Sequence, residues 1–214
     1  METKDATVTI YLDIETWSGE PPSKNSIVAD GRLKDPVKIA DDINKKWDEA
    51  WRKQSLDSMK GEVWCIGIAV DDGPTLCLKG KSEKETMQLL EEELIHCTYP
   101  RIVGHNILEF DALWLFHKGL KYGLGAVVYN FSGDRVRWLV DTMKIMKGPA
   151  WKVYVSLDNM AKTLGFEGKG AIDGSMVHDM VLAGKDEQIM NYCKADVNLL
   201  RKCYKRLNEL GLYS

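Results

Sequence analysis

The strongest constraint on the fold is a run close to the N-terminus, Val8-Thr9-Ile10-Tyr11-Leu12-Asp13-Ile14-Glu15-Thr16. Its β-branched and aromatic residues mark a β-strand. Side chains alternate across a strand, so Val8, Ile10, Leu12 and Ile14 share one face while Tyr11, Asp13 and Glu15 share the other. A strand that buries the first face must hold two mutually repelling carboxylates on the second. Taken alone, D-x-E reads first as a solvated strand end. The alternative is a divalent-cation site, because hard oxygen donors suit Mg²⁺ or Mn²⁺.

A chain of 214 residues is long enough for one domain with a sizeable core and short for two. Net charge is −3, which argues against a protein that merely coats nucleic acid but not against an enzyme with a local groove. No apolar run approaches the ~18 residues of a membrane span, and Met1 to Asp5 lacks the basic and apolar regions of a signal peptide. The expected location is therefore cytoplasmic, with no membrane partner. The cysteines, Cys65, Cys77, Cys97, Cys193 and Cys203, are odd in number and form no C-x-x-C pair. Free thiols are expected rather than a disulfide frame or structural zinc.

After the first strand, Ser18 to Gly61 is polar and opens with loop residues. Asp35-Pro36 has the form of an N-cap followed by proline, and Ile39, Ile43, Trp47 and Trp51, with Ala40 and Ala50, make one apolar helix face. The tryptophans are expected to pack on the domain rather than stack on bases. Val63–Val70 and Thr75–Lys79 read as a hairpin across Asp71-Asp72-Gly73-Pro74. Ser82-Glu83-Lys84-Glu85 resembles a capping box for a helix running to about Cys97. A strand follows at Arg101–Gly104. A helix capped by Asn106 and stopping near Gly119 comes next, then a glycine-containing connection from Tyr122 to Arg137 and a fifth strand at Trp138–Asp141. Three more helices are expected near Ser156 to Leu164, Ser175 to Ala183 and Asp186 to Leu210. Three meandering strands, then alternating helix and strand, then helices, describe an α/β fold with a mixed sheet and helices on both sides.

Two further acids sit where acids are costly. In the last helix Ile189, Cys193, Asp196, Leu200, Cys203, Tyr204 and Leu207 form one stripe, which places Asp196 amid apolar neighbours with Tyr192 one turn earlier. A basic partner or a helix N-terminus is the competing account of Asp196. In His105-Asn106-Ile107-Leu108-Glu109-Phe110-Asp111, Asp111 reads as lying one turn inside a helix, where the helix dipole alone could favour it. If Asp13, Glu15, Asp111 and Asp196 converge from three elements, each like-charge pair at ~4 Å costs on the order of 4 kcal/mol at an effective dielectric of ~20. Protons or cations must then neutralise them. Two divalent ions are the usual solution, and they serve in-line displacement at phosphorus.

Together, D-I-E in a strand, H-N-x-x-x-F-D at a helix start and Y-x-x-x-D in a late helix resemble the DEDD superfamily of 3′→5′ exonucleases. Tyr192 four residues before Asp196 resembles its DEDDy branch. Lys34-Asp35-Pro36, Val63–Val70, Val140-Asp141-Thr142, Ser156-Leu157-Asp158 and Asp173-Gly174-Ser175 extend the likeness to stand-alone, phage-type exonucleases related to the proofreading domain of family B DNA polymerases. The long Ser18–Gly61 insertion departs from compact proofreading domains.

The resemblance implies a ribonuclease-H-like fold, with a five-stranded mixed sheet flanked by helices, over one exonuclease domain, 1–214, carrying an inserted helical segment at about 18–61. It implies release of nucleoside monophosphates from single-stranded 3′ ends, with DNA the expected substrate and two Mg²⁺ or Mn²⁺ ions as cofactors. Asp13, Glu15, Asp111 and Asp196 are the implied metal ligands, and Tyr192 orients the attacking water. Thr16, Trp17, Asn106 and Phe110 are the implied contacts to the terminal nucleotide. Expected partners are single-stranded nucleic acid and a polymerase or other replication or repair protein, in the host cytoplasm if the chain is phage-encoded. A 3′→5′ exoribonuclease and a catalytically silent nucleic-acid-binding or polymerase-accessory module remain the alternatives.

Among lesser candidates, His105 reads as a local hydrogen-bonder or a phosphate contact. Lys144, Lys147, Trp151 and Lys152 read as a solvated loop or a single-strand surface. Asp141 and Asp173 read as structural, and His178-Asp179 lacks a partner at metal-ligand spacing.

Overall fold

In the computed structural model, which describes residues 8–97, 99–149 and 153–212, the N-terminal run is the strand β1 (Thr9–Trp17). The chain continues through α1 (Pro36–Lys53), β2 (Glu62–Val70), β3 (Leu76–Leu78), α2 (Glu83–Ile95), β4 (Arg101–Gly104), α3 (Asp111–Tyr122) and α4 (Gly125–Phe131). It ends with β5 (Leu139–Asp141), α5 (Thr142–Lys147), α6 (Leu157–Thr163), α7 (Val177–Leu182) and α8 (Asp186–Glu209). The strands form one sheet in the order β3-β2-β1-β4-β5. β2 is antiparallel to β1 and β3, whereas β4 is parallel to β1 and β5. The sheet is mixed and β1 is its middle strand.

The alternation along β1 divides the core. Ile10, Leu12 and Ile14 pack with Met87 and Leu90 of α2, Leu115 of α3 and Val127 of α4. Tyr11 faces the other way, with Met160 and Ala161 of α6 and Val197 and Leu200 of α8. Each fully buried aliphatic side chain contributes about 1.5–3 kcal/mol over its exposed state. Both layers of helices are thus bound to the sheet by burial, and β1 can hardly shift register without exposing one of them. Past Glu15 the β1–β2 register slips, and Thr16 pairs with Val63 rather than Trp64. Such irregularities bend a strand and commonly lie beside functional sites.

The Ser18–Gly61 segment folds as α1 between two short 3₁₀ turns. Asp35 caps α1 by accepting the Val37 N–H at 2.8 Å. None of its residues is fully buried; Ile39, Ile43, Trp47 and Trp51 are half-buried and Ala40 is exposed. Polar ties hold it instead. The indole N–H groups of Trp47 and Trp51 donate to the carbonyls of Pro22 (2.7 Å) and Gly19 (2.8 Å). The Thr16 hydroxyl donates to Ser55 O at 2.7 Å, and Arg52 pairs with Asp179 through two bonds of 2.7 and 3.0 Å.

Several local expectations change. Asn106 does not cap α3: it takes the left-handed conformation, φ +65°, and its N–H goes to Asp141 Oδ1 at 3.0 Å. The helix starts at Asp111 itself, which therefore sits at the positive end of the dipole rather than one turn inside. α3 also continues past Gly119, a packing position where a Cβ would meet Val127 at 2.9 Å, and stops at Gly123 with φ +69°. The connection from Tyr122 to Arg137 contains α4, which is too short to show a period, and a 3₁₀ stretch, Gly133–Trp138. Lys144 and Lys147 lie on α5 rather than in a loop, because Asp141 accepts the N–H groups of Met143 and Lys144. The capping box at Ser82 is half formed. Ser82 Oγ accepts from Glu85 N, but the Glu85 carboxylate turns to Lys81 N at 2.8 Å. Trp151 and Lys152 lie outside the described residues.

Candidate active site

Three elements deliver the acids. β1 supplies Asp13 and Glu15 on its second face, and α8 lies across that face and supplies Asp196 from its buried stripe. Asp111 arrives at the start of α3, where its Oδ1 accepts the Ile14 N–H at 3.1 Å and so docks between the two β1 acids. Asp141 prepares this arrival. Its carboxylate accepts the N–H groups of Asn106 (3.0 Å) and Leu108 (3.3 Å), fixing the turn that leads into α3. All four acids line one open cavity of about 980 Å³.

The electrostatics agree with crowding. Burial raises Asp13 well above the usual carboxylate range, and the charges of Asp111 and Asp196 raise it further. Glu15 is raised by burial and then by Asp13 and Asp196. Burial pushes Asp111 up to about 7 although its own N–H and that of Ile14 pull it down. Burial also raises Asp196, outweighing the ammonium of Lys169. Four carboxyls whose ionised forms are all penalised, on rigid elements and open to a cavity, are the donor set of hard divalent cations. The residues fit such ions.

Tyr192 lies one turn before Asp196 on α8 and lines the same cavity. Burial and the charges of Glu15, Asp196 and Asp13 hold its phenol protonated far beyond neutral pH. Sequence reasoning missed Lys169. Its ammonium ion-pairs with Asp196 and donates to Tyr192 OH at 3.1 Å, which supplies the basic partner that Asp196 needs. Burial alone would lower Lys169, but Asp196, Asp13 and Glu15 more than offset it and the group is held charged. The loop is held by Asp158, which accepts the Lys169 N–H at 2.8 Å. A Cβ at residue 168 would lie 2.0 Å from Asp158 Oδ1, so any residue but glycine there would displace the carboxylate that holds the loop. The only signal in the chain was Gly168-Lys169-Gly170, a lysine in a flexible frame with no periodicity to place it.

Of the expected nucleotide contacts, Thr16, Asn106 and Phe110 line the cavity. Asn106 Oδ1 is buried without a partner among the described residues. Trp17 does not line it: its indole N–H donates to Glu62 at 3.0 Å and its ring packs with the cluster around Trp64. His105 is a local hydrogen-bonder, with Nε2 at 2.7 Å from Val155 O and Nδ1 at 3.0 Å from Thr142 Oγ1. Asp173 caps a 3₁₀ turn. Arg52, Lys53 and Lys162 also reach the cavity, as does His178, whose two ring nitrogens are buried and unpartnered among the described residues.

A mixed β3-β2-β1-β4-β5 sheet covered on both faces, with acids converging at the end of its middle strand, defines a ribonuclease-H-like exonuclease of the DEDD class. The chain belongs to the family of predicted 3′–5′ exonucleases related to the exonuclease domain of PolB, which matches residues 75–206. That match starts after β1, so it includes Asp111 and Asp196 but not Asp13 and Glu15. The fold is similar to that of the family B DNA polymerase from the hyperthermophilic archaeon Pyrobaculum calidifontis, with a TM-score of 0.64 and 16% identity. That likeness covers 94% of this chain and 24% of the polymerase, so the chain spans about a quarter of it. No curated protein matches the sequence. DEDD exonucleases use divalent metal ions. No helix among the described residues is long and apolar enough to cross a membrane.

Proposed function

We propose that the protein is a 3′→5′ exonuclease of the DEDDy type, acting within one domain, 1–214. It removes nucleoside monophosphates from single-stranded 3′ ends, with DNA as substrate and two Mg²⁺ or Mn²⁺ ions as cofactors. The observation that carries this reading is the convergence of three buried acids, Glu15, Asp111 and Asp196, and the half-buried Asp13 on a large open cavity, with the Lys169 ammonium paired to Asp196. A silent binding module would have no reason to maintain that repulsion.

Asp13, Glu15, Asp111 and Asp196 would hold the ions. When bound, divalent ions lower the pKa of water and stabilise charge on the attacking and leaving oxygens of an in-line displacement. Tyr192, kept protonated, orients the attacking water by a hydrogen bond rather than by taking its proton. Lys169, paired with Asp196, offsets part of the acids' charge, and its ammonium would be available to a substrate phosphate. Thr16, Asn106 and Phe110 meet the terminal nucleotide, and Lys53, at the cavity edge, offers the approaching backbone a cation. The likeness to a polymerase supports a replication or repair protein as partner.

The test uses matched DNA and RNA oligonucleotides labelled at the 5′ end, with Mg²⁺ or Mn²⁺. A ladder of shortened labelled products on DNA is the expected result. A ladder confined to RNA replaces the substrate, immediate labelled mononucleotide reverses the polarity, and binding without cleavage on both makes the chain a silent module.

A further inference from the structure

Next to the carboxylates, on the same sheet face, lies a donor set of opposite chemistry. Cys65 on β2 is the register partner of Glu15, and Cys77 on the edge strand β3 is the partner of Gly67. Opposed residues in an antiparallel pair point to the same side, so both thiols face the layer that contains α8. Cys193 descends from α8 to meet them. The gap it fills exists because residue 67 is glycine: a Cβ there would lie 2.9 Å from Cys193 Sγ and 2.7 Å from a Val197 methyl. The three sulfurs lie within 4.8 Å of one another, and the Cys193 thiol donates to the Asp13 carbonyl at 3.8 Å. All three are free thiols; Cys65 and Cys193 are fully buried, while Cys77 is half-buried at the sheet edge and gives a way in. The missing C-x-x-C spacing concealed this group, because its members come from two strands and a distant helix.

Buried cysteines often serve as small hydrophobes. Three sulfurs converging over a glycine-made gap do more than fill space. An ion ~2.3 Å from each sulfur holds them ~3.8–4.0 Å apart, within a small contraction of the observed set. Thiolates select Zn²⁺ or Cu⁺, whereas carboxylates select Mg²⁺ and Mn²⁺, so adjacent sites sort cations by softness. Cys193 Sγ also lies within 4.8 Å of donor oxygens of Asp13 and Glu15, so the sulfur group abuts the hard-ion site. We propose that Cys65, Cys77 and Cys193 form a binding site for one thiophilic d¹⁰ cation of the Zn²⁺ class, distinct from the hard-ion site. A cation there clamps α8 to the β2–β3 hairpin and so fixes the helix that carries Tyr192 and Asp196.

The test titrates the reduced full chain with Cd²⁺ in excess Mg²⁺, following sulfur-to-cadmium charge-transfer absorption. One equivalent should saturate a band of three-thiolate intensity. Cys77→Ser, at a half-exposed edge position that folding tolerates, should weaken binding by more than ~10-fold, since even the partners of metal ligands carry that much. Cys97→Ser should change nothing, because that thiol lies just past α2 and bonds to Glu93 O of that helix. A second readout needs no substitution: Cd²⁺ should protect Cys77 of the native chain from alkylation, read by peptide mass. Absence of the band, its survival intact in Cys77→Ser, its loss in Cys97→Ser, or alkylation of Cys77 unaffected by Cd²⁺ overturns the proposal. None of these readouts needs turnover, so they stand apart from the exonuclease assay.

Discussion

Two groups of buried charge flank this sheet, and they differ in how they are balanced. On one side Glu83, the first residue of α2, accepts hydrogen bonds from Val63 N–H (2.8 Å), Lys121 (2.8 Å) and Tyr122 OH (2.5 Å), with the buried Lys118 at 3.1 Å. On the other, Asp13, Glu15, Asp111 and Asp196 converge around Lys169. Burial penalises the ionised acid in both places. At Glu83 the surrounding donors overcome that penalty and hold the carboxyl below its usual range. At the β1 acids they do not, and all four are held above it. One acid with two lysines is a finished structural knot. Four acids with one lysine leave a surplus that only protons or cations can complete, which is why the second group, not the first, is read as the site of chemistry.

The largest expected contrast is in turnover. Asp13→Ala and Asp196→Ala should each reduce exonuclease activity below detection while the chain stays folded. The melting temperature of metal-free Asp13→Ala should equal or exceed that of the parent, because like-charge repulsion is relieved, whereas Asp196→Ala also strips Lys169 of its carboxylate and should melt lower. Single-turnover cleavage and circular dichroism melting measure the two halves. Near-parental cleavage in either folded variant removes these acids from the mechanism.

Glu83→Ala should do the reverse. Leaving the buried Lys118 ammonium without its carboxylate costs ~3–5 kcal/mol, while the folded fraction at low temperature keeps its cleavage rate. Denaturant unfolding alongside the cleavage assay reads this out. A variant that is stable but inactive would erase the distinction between the two groups.

Tyr192→Phe sharpens the comparison within the acid group. It keeps the ring and removes the hydroxyl that accepts from Lys169, so folding and metal affinity should persist while the rate falls by ~10²-fold, the lower end for a positioned proton-handling group. Since the phenol stays protonated, the pH dependence of the residual rate should keep the parental shape. Full activity at every pH would reduce Tyr192 to a packing residue.

The smallest effect is on stability against pH. An acid held above its unfolded pKa stabilises the fold while protonated, and that contribution is lost as pH rises through its folded value. For Asp111 the loss runs from the ordinary 3.8 to about 7, with Asp13, Glu15 and Asp196 acting in the same direction. Glu83, held low, contributes above its unfolded pKa and loses that contribution as pH falls through its folded one. Metal-free melting temperatures should therefore decline toward alkaline pH, and saturating Mg²⁺ or Mn²⁺ should flatten the decline. A metal-free curve that stays flat from acid to neutral pH contradicts the crowding.

The chain by itself determined β1, its two faces, the hairpin, the cap of α1 and the stripe of α8, because period and capping are local and repeat over many residues. It also displayed all four acids and Tyr192, since a carboxylate on a strand face or amid an apolar stripe is conspicuous without any neighbour. Packing decided where those residues meet. Asn106 turned left-handed because Asp141, from another strand, claimed its N–H, and Asp111 thereby became the first residue of its helix. Gly119 was absorbed into α3 because α4 needed the space. Lys169 and the thiols of Cys65, Cys77 and Cys193 carried no local mark at all. Their significance is a distance between remote elements, and the force that sets it, the energy of burying charge or sulfur beside one particular neighbour, exists only once the chain has folded.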